Sequence, residues 1–280
     1  MKIFENLHDF RAWRSTSGND IGFVPTMGYL HEGHFSLVRE SKRNHALTVV
    51  SIFVNPTQFA AGEDLSRYPR DFAGDSSRLR DLGVDALFFP TEAEMYPPGF
   101  GTWVNDPEAD AMLCGPFRPG HFRGVLTVVL KFFRLVKPKT AYFGKKDYQQ
   151  FFLIKRMARD LELDVEVAGL DTIREASGLA MSSRNAYLSV EEKQQAAFIY
   201  QTLKGLKTRI LAGDNDAASL EKSGREALSE KGFRVDYVEI RNRENLRREE
   251  RANAESIVFA AAHLGKTRLI DNLEVGAGSL

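Results

Sequence analysis

The sequence is poor in several things that define whole classes of protein. It has one cysteine, Cys114, in 280 residues. A lone thiol makes no intrachain disulfide and lacks the partners of a thiolate zinc site, which points to a reducing compartment. Charge of one sign is also lacking, with 38 Lys and Arg against 38 Asp and Glu. No global positive field is therefore present to hold a nucleic-acid backbone, and no basic, aromatic-studded segment stands out. Long hydrophobic runs are absent as well. The most apolar stretch, Gly124 to Val136 (GVLTVVLKFFRLV), is interrupted by Lys131 and Arg134. It is too short to span a bilayer and reads as a core helix. The first residues, MKIFENLHDFRAWR, scatter charges among apolar side chains and offer no signal-peptide core. Neither a membrane nor a nucleic acid is expected as partner, and a cytoplasmic location is. What remains is 43% hydrophobic and 27% charged, a composition suited to a soluble globular chain long enough to bury a sizeable core.

The first half alternates short β-rich runs with helical patterns. Strands are expected at Gly22–Pro25, Leu47–Val54, Ala86–Phe89, Thr140–Phe143 and Asp164–Ala168. Helices are expected near His34–Asn44, Asp71–Leu82, Gly124–Val136 and Tyr148–Leu161. Runs such as LTVVSIFV are apolar on both faces, as strands covered on both sides require. The alternation predicts an α/β fold with a Rossmann-like parallel sheet. Past about Arg174 the texture changes. One long amphipathic helix is expected over Ser189–Leu211, opened by a capping box of Ser189 and Glu192. A second follows at about Asp216–Lys231, then strands at Val235–Ile240, Ser256–Ala261 and Thr267–Leu273. The division is drawn as residues 1–176, a nucleotide- and substrate-binding domain, and 177–280, a smaller α+β C-terminal domain.

Five segments carry chemistry. PTMGYLHEGH, from Pro25 to His34, lies between the first predicted strand and helix, where open α/β sheets bind ligands and helix N-termini favour anions. Gly33 permits close backbone approach, and His31 and His34 can donate to phosphate oxygens. The alternative is that both histidines only cap the helix. A third metal ligand at a recognisable spacing is missing, so no resident metal is expected. FVNPTQF, Phe53 to Phe59, ends the second strand. Asn55 and Gln58 suit a polyhydroxy or carboxylate substrate, although Asn-Pro-Thr also reads as a plain turn. In RPGHFRGV, Arg118, His121 and Arg123 surround a helix start and can face anions, or form a solvated basic loop. FGKKDYQQ offers Gly144, Lys146, Asp147 and Gln150. Here Lys146 is a point charge for phosphate, and Asp147 can accept from ribose hydroxyls, sit near a metal, or simply cap a helix. In REASGLAMSSRN, Ser182, Ser183 and Arg184 put small donors beside a cation, as a clamp on a polyphosphate needs. A polar interdomain loop would look the same.

In this order, and with EDLSRYPRD (Glu63 to Asp71), these segments resemble the pantothenate synthetase family, the ATP-dependent pantoate–β-alanine ligases of the HIGH-type nucleotidyltransferase superfamily. The resemblance implies a Rossmann-like first domain, a smaller second domain acting as a lid, and a homodimer. It implies that ATP, with Mg²⁺, activates pantoate as pantoyl adenylate, and that β-alanine then displaces AMP. By the same resemblance the nucleotide is held by Pro25, Met27, Gly28, His31, His34, Gly144, Lys146, Asp147, Ile173, Met181, Ser182, Ser183 and Arg184. His31, His34, Lys146, Ser182, Ser183 and Arg184 are the expected catalytic groups. Gln58 and Gln150, with Asn55, Arg118 and His121, are expected to hold the substrate. One departure stands out, because Lys145 occupies a position where the family usually has Glu. The rival reading is another HxGH enzyme such as a nicotinamide mononucleotide adenylyltransferase, which keeps AMP in its product. FVNPTQF and the two glutamines weigh against it.

Overall fold

The computed structural model describes residues 1–60 and 62–276. Two compact units divide the chain: Met1–Lys145 with Gln150–Asp171, and Lys146–Gln149 with Thr172–Leu280.

The first unit opens with β1 (Lys2–Phe4) and α1 (Leu7–Thr16). It continues with β2 (Ile21–Thr26), α2 (Glu32–Asn44), β3 (Leu47–Ile52), α3 (Phe72–Asp81), β4 (Ala86–Phe88) and the short α4 (Glu92–Met95). Then come α5 (His121–Val136), β5 (Thr140–Gly144), α6 (Tyr148–Asp160) and β6 (Glu166–Leu170), with the first two residues of α6 grouping with the second unit. The six strands form one parallel sheet in the order β1-β4-β3-β2-β5-β6. Val24, Val49, Val50, Ala86, Leu87 and Ala141 lie buried in its strands, as a sheet covered by helices on both faces demands. From β2 the chain moves outward to β3, and it later returns on the other side at β5. The order therefore reverses between β2 and β5, and the carboxyl ends of those two strands frame the crevice in which such sheets bind ligands.

In this unit β1, α1 and the four-residue α4 lie outside the sequence expectation. The strand β1 is three residues long and α1 is thick with charge, so neither shows a clear period. Aromatic packing holds them instead: Phe10 stacks on Phe88 with centroids 4.2 Å apart, and Phe4 meets Trp13 at 5.3 Å.

The second unit carries α7 (Val190–Ala196), α8 (Phe198–Leu211) and α9 (Ala217–Glu230). Its sheet is antiparallel, with β7 (Arg234–Asn242), β8 (Ser256–Leu264) and β9 (Thr267–Glu274) in that order. The division between the units falls between Asp171 and Thr172, where the sequence places it between residues 176 and 177. The single helix expected over Ser189–Leu211 is two helices broken at Ala197. No glycine or proline marks the break. Ala196, Ala197 and Ile199 are all buried in this unit's core, a wider arc than one straight helical stripe covers, so packing bends the axis there. The capping box of Ser189 and Glu192 forms as expected. Among the described residues, no helix is long and apolar enough to cross a membrane.

Candidate active site

The turn after β2 carries the first group of expected nucleotide residues. Thr26 donates to the carbonyl of Ser51 on β3 (2.8 Å) and accepts from the N–H of Gly28 (3.2 Å). Gly28 takes φ +84°, and Tyr29 also lies in the left-handed region at φ 51°. A Cβ at Gly28 would stand 3.0 Å from Ile52 Cγ2, so this position is closed to larger residues on both counts. The turn is held by Asp75 of α3, whose two oxygens accept from the N–H groups of Tyr29 and Leu30, both at 2.7 Å. Burial pushes the Asp75 carboxyl above the ordinary range, and those backbone donors oppose the shift.

The turn delivers His31 as the N-cap of α2, with His34 one turn on. The N–H of Gly33 donates to His31 Nδ1 (3.2 Å), and the N–H of His31 donates to His34 Nδ1 (3.3 Å). The imidazoles thus take the parts that a hydroxyl and a carboxylate play in an ordinary capping box. Because both Nδ1 atoms accept, the proton of each neutral ring sits on Nε2. The two rings lie 4.1 Å apart. Capping and chemistry are therefore not alternatives here: the cap fixes the tautomer that makes each ring an outward N–H donor. A Cβ at Gly33 would meet His31 Cε1 at 2.9 Å, so a larger residue there would have to displace that ring.

Two further segments converge on this turn through Gln58. Its Nε2 approaches Met27 Sδ at 3.1 Å, and its Oε1 accepts from Asn55 Nδ2 at 3.1 Å. Asn55 is 1% exposed. Its amide also donates to the carbonyl of Gly124 (3.2 Å), and its Oδ1 accepts from the hydroxyls of Tyr96 (2.8 Å) and Thr57 (2.9 Å). Arg118 grips Glu63 with two bonds of 2.7 Å and reaches His121 Nε2 at 2.9 Å and the carbonyl of Gln58 at 3.3 Å. A guanidinium only donates, so His121 Nε2 accepts, and the proton on Nδ1 goes to the Gln58 carbonyl at 2.7 Å. Asn55, Arg118 and His121, expected to meet substrate, thus spend these polar groups on Gln58 and its surroundings. Gly124 lets α5 approach this segment, since a Cβ there would sit 2.6 Å from the carbonyl carbon of Thr57.

At the end of β5, a Cβ on Gly144 would meet no atom within 4 Å. Pro25 is half-buried near the end of β2, and Gln150 is half-buried in the first turn of α6. Lys145 donates to Asp171 at 2.9 Å. Its charge is directed to that carboxylate.

The second unit holds the other expected nucleotide residues. Lys146 and Asp147 lie in a one-turn 3-10 helix over residues 145–147, with Lys146 Nζ 3.8 Å from the Asp147 carboxylate. The N–H of Met181 donates to the carbonyl of Ile173 (3.0 Å). Ser182 then caps a 3-10 helix over residues 183–187, accepting from the N–H of Arg184 at 3.3 Å. Asn185 braces the loop, donating to Glu175 (3.0 Å) and to the carbonyl of Ala180 (3.1 Å).

With this geometry in view, comparison with known proteins is decisive. The family model described as pantoate–β-alanine ligase matches residues 2–274. A pantothenate synthetase of Thermotoga petrophila is 49% identical over 280 residues, covering 99% of this chain and 100% of the relative.

The chain belongs to the pantoate–β-alanine ligase family.

A pantothenate synthetase of Chromobacterium violaceum is likewise 49% identical, over 98% of this chain and 99% of its own. Among solved ligases, the pantothenate synthetase of Thermus thermophilus superposes with a TM-score of 0.94 at 44% identity, covering 99% and 100% of the two chains. The pantoate–β-alanine ligase of Francisella tularensis, solved with beta-gamma ATP and β-alanine, does so at 0.85 and 36%, covering 99% of each. Within this ligase, reading the sequence alone misses Glu63, Asp75, Tyr96, Asp271 and Asn272. Glu63 lies in a quoted segment, where nothing distinguishes it from an ordinary surface charge. For the other four, nothing local marks a side chain whose partner lies 39 or more residues away.

Proposed function

We infer that the protein is an ATP-dependent ligase that joins pantoate to β-alanine, releasing AMP and pyrophosphate. The observation that carries this reading is the full-length family match over a turn in which His31 and His34 both present Nε2–H at the start of α2, beside a fixed Gln58. A pantoate carboxylate oxygen attacks the α-phosphorus of ATP, and the bond from that phosphorus to the bridging oxygen breaks, releasing pyrophosphate. The β-alanine amine then attacks the acyl carbon. The carbon–oxygen bond breaks, AMP leaves with the oxygen that pantoate brought, and the amine loses its proton. No protein nucleophile is needed.

Charge builds on phosphate oxygens in the first step, so preorganised donors are the chief catalysts. His31 and His34 serve there, with the positive end of α2 behind them. Lys146, Ser182, Ser183 and Arg184 are assigned donor roles toward the nucleotide, and Pro25, Met27, Gly28, Gly144, Asp147, Ile173 and Met181 are assigned to its binding, as the family resemblance implies. Gln58 and Gln150 hold pantoate, while Asn55, Arg118 and His121 act through Gln58. Mg²⁺ enters with the triphosphate as part of the substrate. The enzyme works as a homodimer in the cytoplasm, as the family resemblance implies, and light scattering on the purified protein tests the assembly.

A product assay with ATP and Mg²⁺, adding pantoate and β-alanine singly and together, tests the reading. Pantothenate and AMP should form only when both are present. Retention of AMP in a product made from nicotinamide mononucleotide would overturn it.

A further inference from the structure

We propose that Asp271 and Asn272, neighbours on β9, are positioning residues that fix the main chain of Lys146 and of the loop carrying Ser182–Arg184 for adenylation. This rests on the reading above, in which those groups hold the triphosphate.

The loop is short of material to fix itself. Between Ile173 and Arg184 only Leu179, Ala180 and Ser183 are buried. A narrow hairpin forms instead, in which Arg174 bridges Ala180, Glu175 N–H donates to Leu179 O (2.8 Å) and Gly178 N–H returns to Glu175 O (2.8 Å). It closes at the Met181–Ile173 bond and runs straight into Ser182. Beside the Asn185 brace, one side chain ties it to β9. Arg174 makes a two-pronged contact with Asp271, at 2.6 and 2.9 Å. The same guanidinium donates to the carbonyls of Gly178 (3.2 Å) and Asn272 (3.3 Å) and lies 3.7 Å from the centre of the Tyr200 ring. Tyr200 in turn packs on Gly178, where a Cβ would stand 2.6 Å from its Cδ1. Asn272 serves the other segment, with Nδ2 donating to the carbonyl of Lys146 at 2.9 Å.

A buried ion pair is a poor means of gaining stability, because two desolvated charges roughly offset their own attraction. What a fork between guanidinium and carboxylate supplies is direction. The Asp271 side chain is 4% exposed, and its partner lies 97 residues away at the root of the loop. One strand thus registers both segments assigned to the triphosphate. The β- and γ-phosphates leave as pyrophosphate after the first step, so a fault in that register should slow adenylation and spare the attack of β-alanine.

The test separates the two half-reactions. Asn272→Leu keeps the size of the side chain and removes its donor. Pantoate-dependent exchange between ATP and pyrophosphate should fall about tenfold, as loss of a positioned hydrogen bond predicts, with the KM for ATP raised. Pantothenate formation from supplied pantoyl adenylate and β-alanine should stay within about twofold of the unaltered enzyme. Asp271 alone cannot be removed cleanly, since the half-buried Arg174 charge would lose its carboxylate partner. The double variant Arg174→Met with Asp271→Leu replaces the pair by apolar groups, so its melting temperature should hold while exchange falls by a similar factor. Exchange unchanged in both variants overturns the proposal, and so does equal loss of the two half-reactions. Lys146→Ala, run in parallel, separates the failures. Exchange that survives Lys146→Ala overturns the triphosphate reading and this proposal with it. Exchange lost in Lys146→Ala but retained in both positioning variants overturns this proposal alone.

Discussion

In the turn after β2, His31 and His34 are fixed mainly from nearby: each Nδ1 accepts from a main-chain N–H no more than three residues away. The loop of residues 173–184 has the local brace of Asn185 and adds to it a distant one, Asp271, 97 residues from the arginine that it holds. On the function proposed above, both regions have to present donors to a polyanion in a set direction. The first solves it with the start of a helix, whose geometry comes from local hydrogen bonding. The second has no long helix to start, and it borrows rigidity from a distant strand. A site held from within can be read from a short stretch of sequence, and one held from outside cannot.

Removing a donor from the locally fixed region should have the largest effect. His34→Ala takes away an Nε2–H and its cap bond together, and pantoate-dependent ATP–pyrophosphate exchange should fall by about a hundredfold with the fold intact by circular dichroism. Activity within a few-fold of the unaltered enzyme would remove His34 from the mechanism.

That contrast also describes how much of the molecule the sequence discloses. The parallel sheet and the HxGH turn are legible because doubly apolar strand runs, their alternation with helical patterns and capping are local signals, while the strand order that makes the switch point is not. The break at Ala197 is not, because core packing rather than glycine or proline causes it. Asn55, Arg118 and His121 are visible as polar residues in the right place, yet their role is not, since it depends on Glu63 and Gln58 standing beside them. Asp75 is invisible for the same reason, since its partners Tyr29 and Leu30 lie 46 and 45 residues back along the chain.

A medium effect tests whether the first unit also depends on supports from outside its turn. Glu63→Gln weakens the two-pronged hold on Arg118, and through His121 it loosens the Gln58 carbonyl. The KM for pantoate should rise on the order of tenfold with the KM for ATP unchanged, and both half-reactions should suffer because the pantoyl group is held in each. An unchanged KM for pantoate would return Arg118 and His121 to direct substrate contact.

Smaller still is the effect expected at Lys145. Because Asp171 already takes its charge at an exposed site, Lys145→Glu should shift the KM for ATP by less than about threefold at physiological salt. A larger, salt-sensitive shift would place that side chain against the nucleotide.

The faintest effect is one of stability in the second unit. Burial pushes His263 below its ordinary value, against the pull of Asp236. On acidification the unfolded chain therefore binds the proton first. The contribution is present above the ordinary histidine pKa of about 6.5 and is lost as pH falls below it. Chemical denaturation between pH 7.5 and 5.5 should show a steeper loss for the unaltered enzyme than for His263→Gln, and identical slopes would contradict the assignment.

The most direct test of the whole account follows an oxygen atom. Pantoate labelled with oxygen-18 in its carboxylate is turned over with ATP and β-alanine, and the products are weighed by mass spectrometry. Adenylation at the donors of α2 predicts one labelled oxygen in the phosphate of AMP and none in pyrophosphate. Unlabelled AMP, or label in inorganic phosphate, would show that the carboxylate is not activated at the α-phosphorus and would contradict the account.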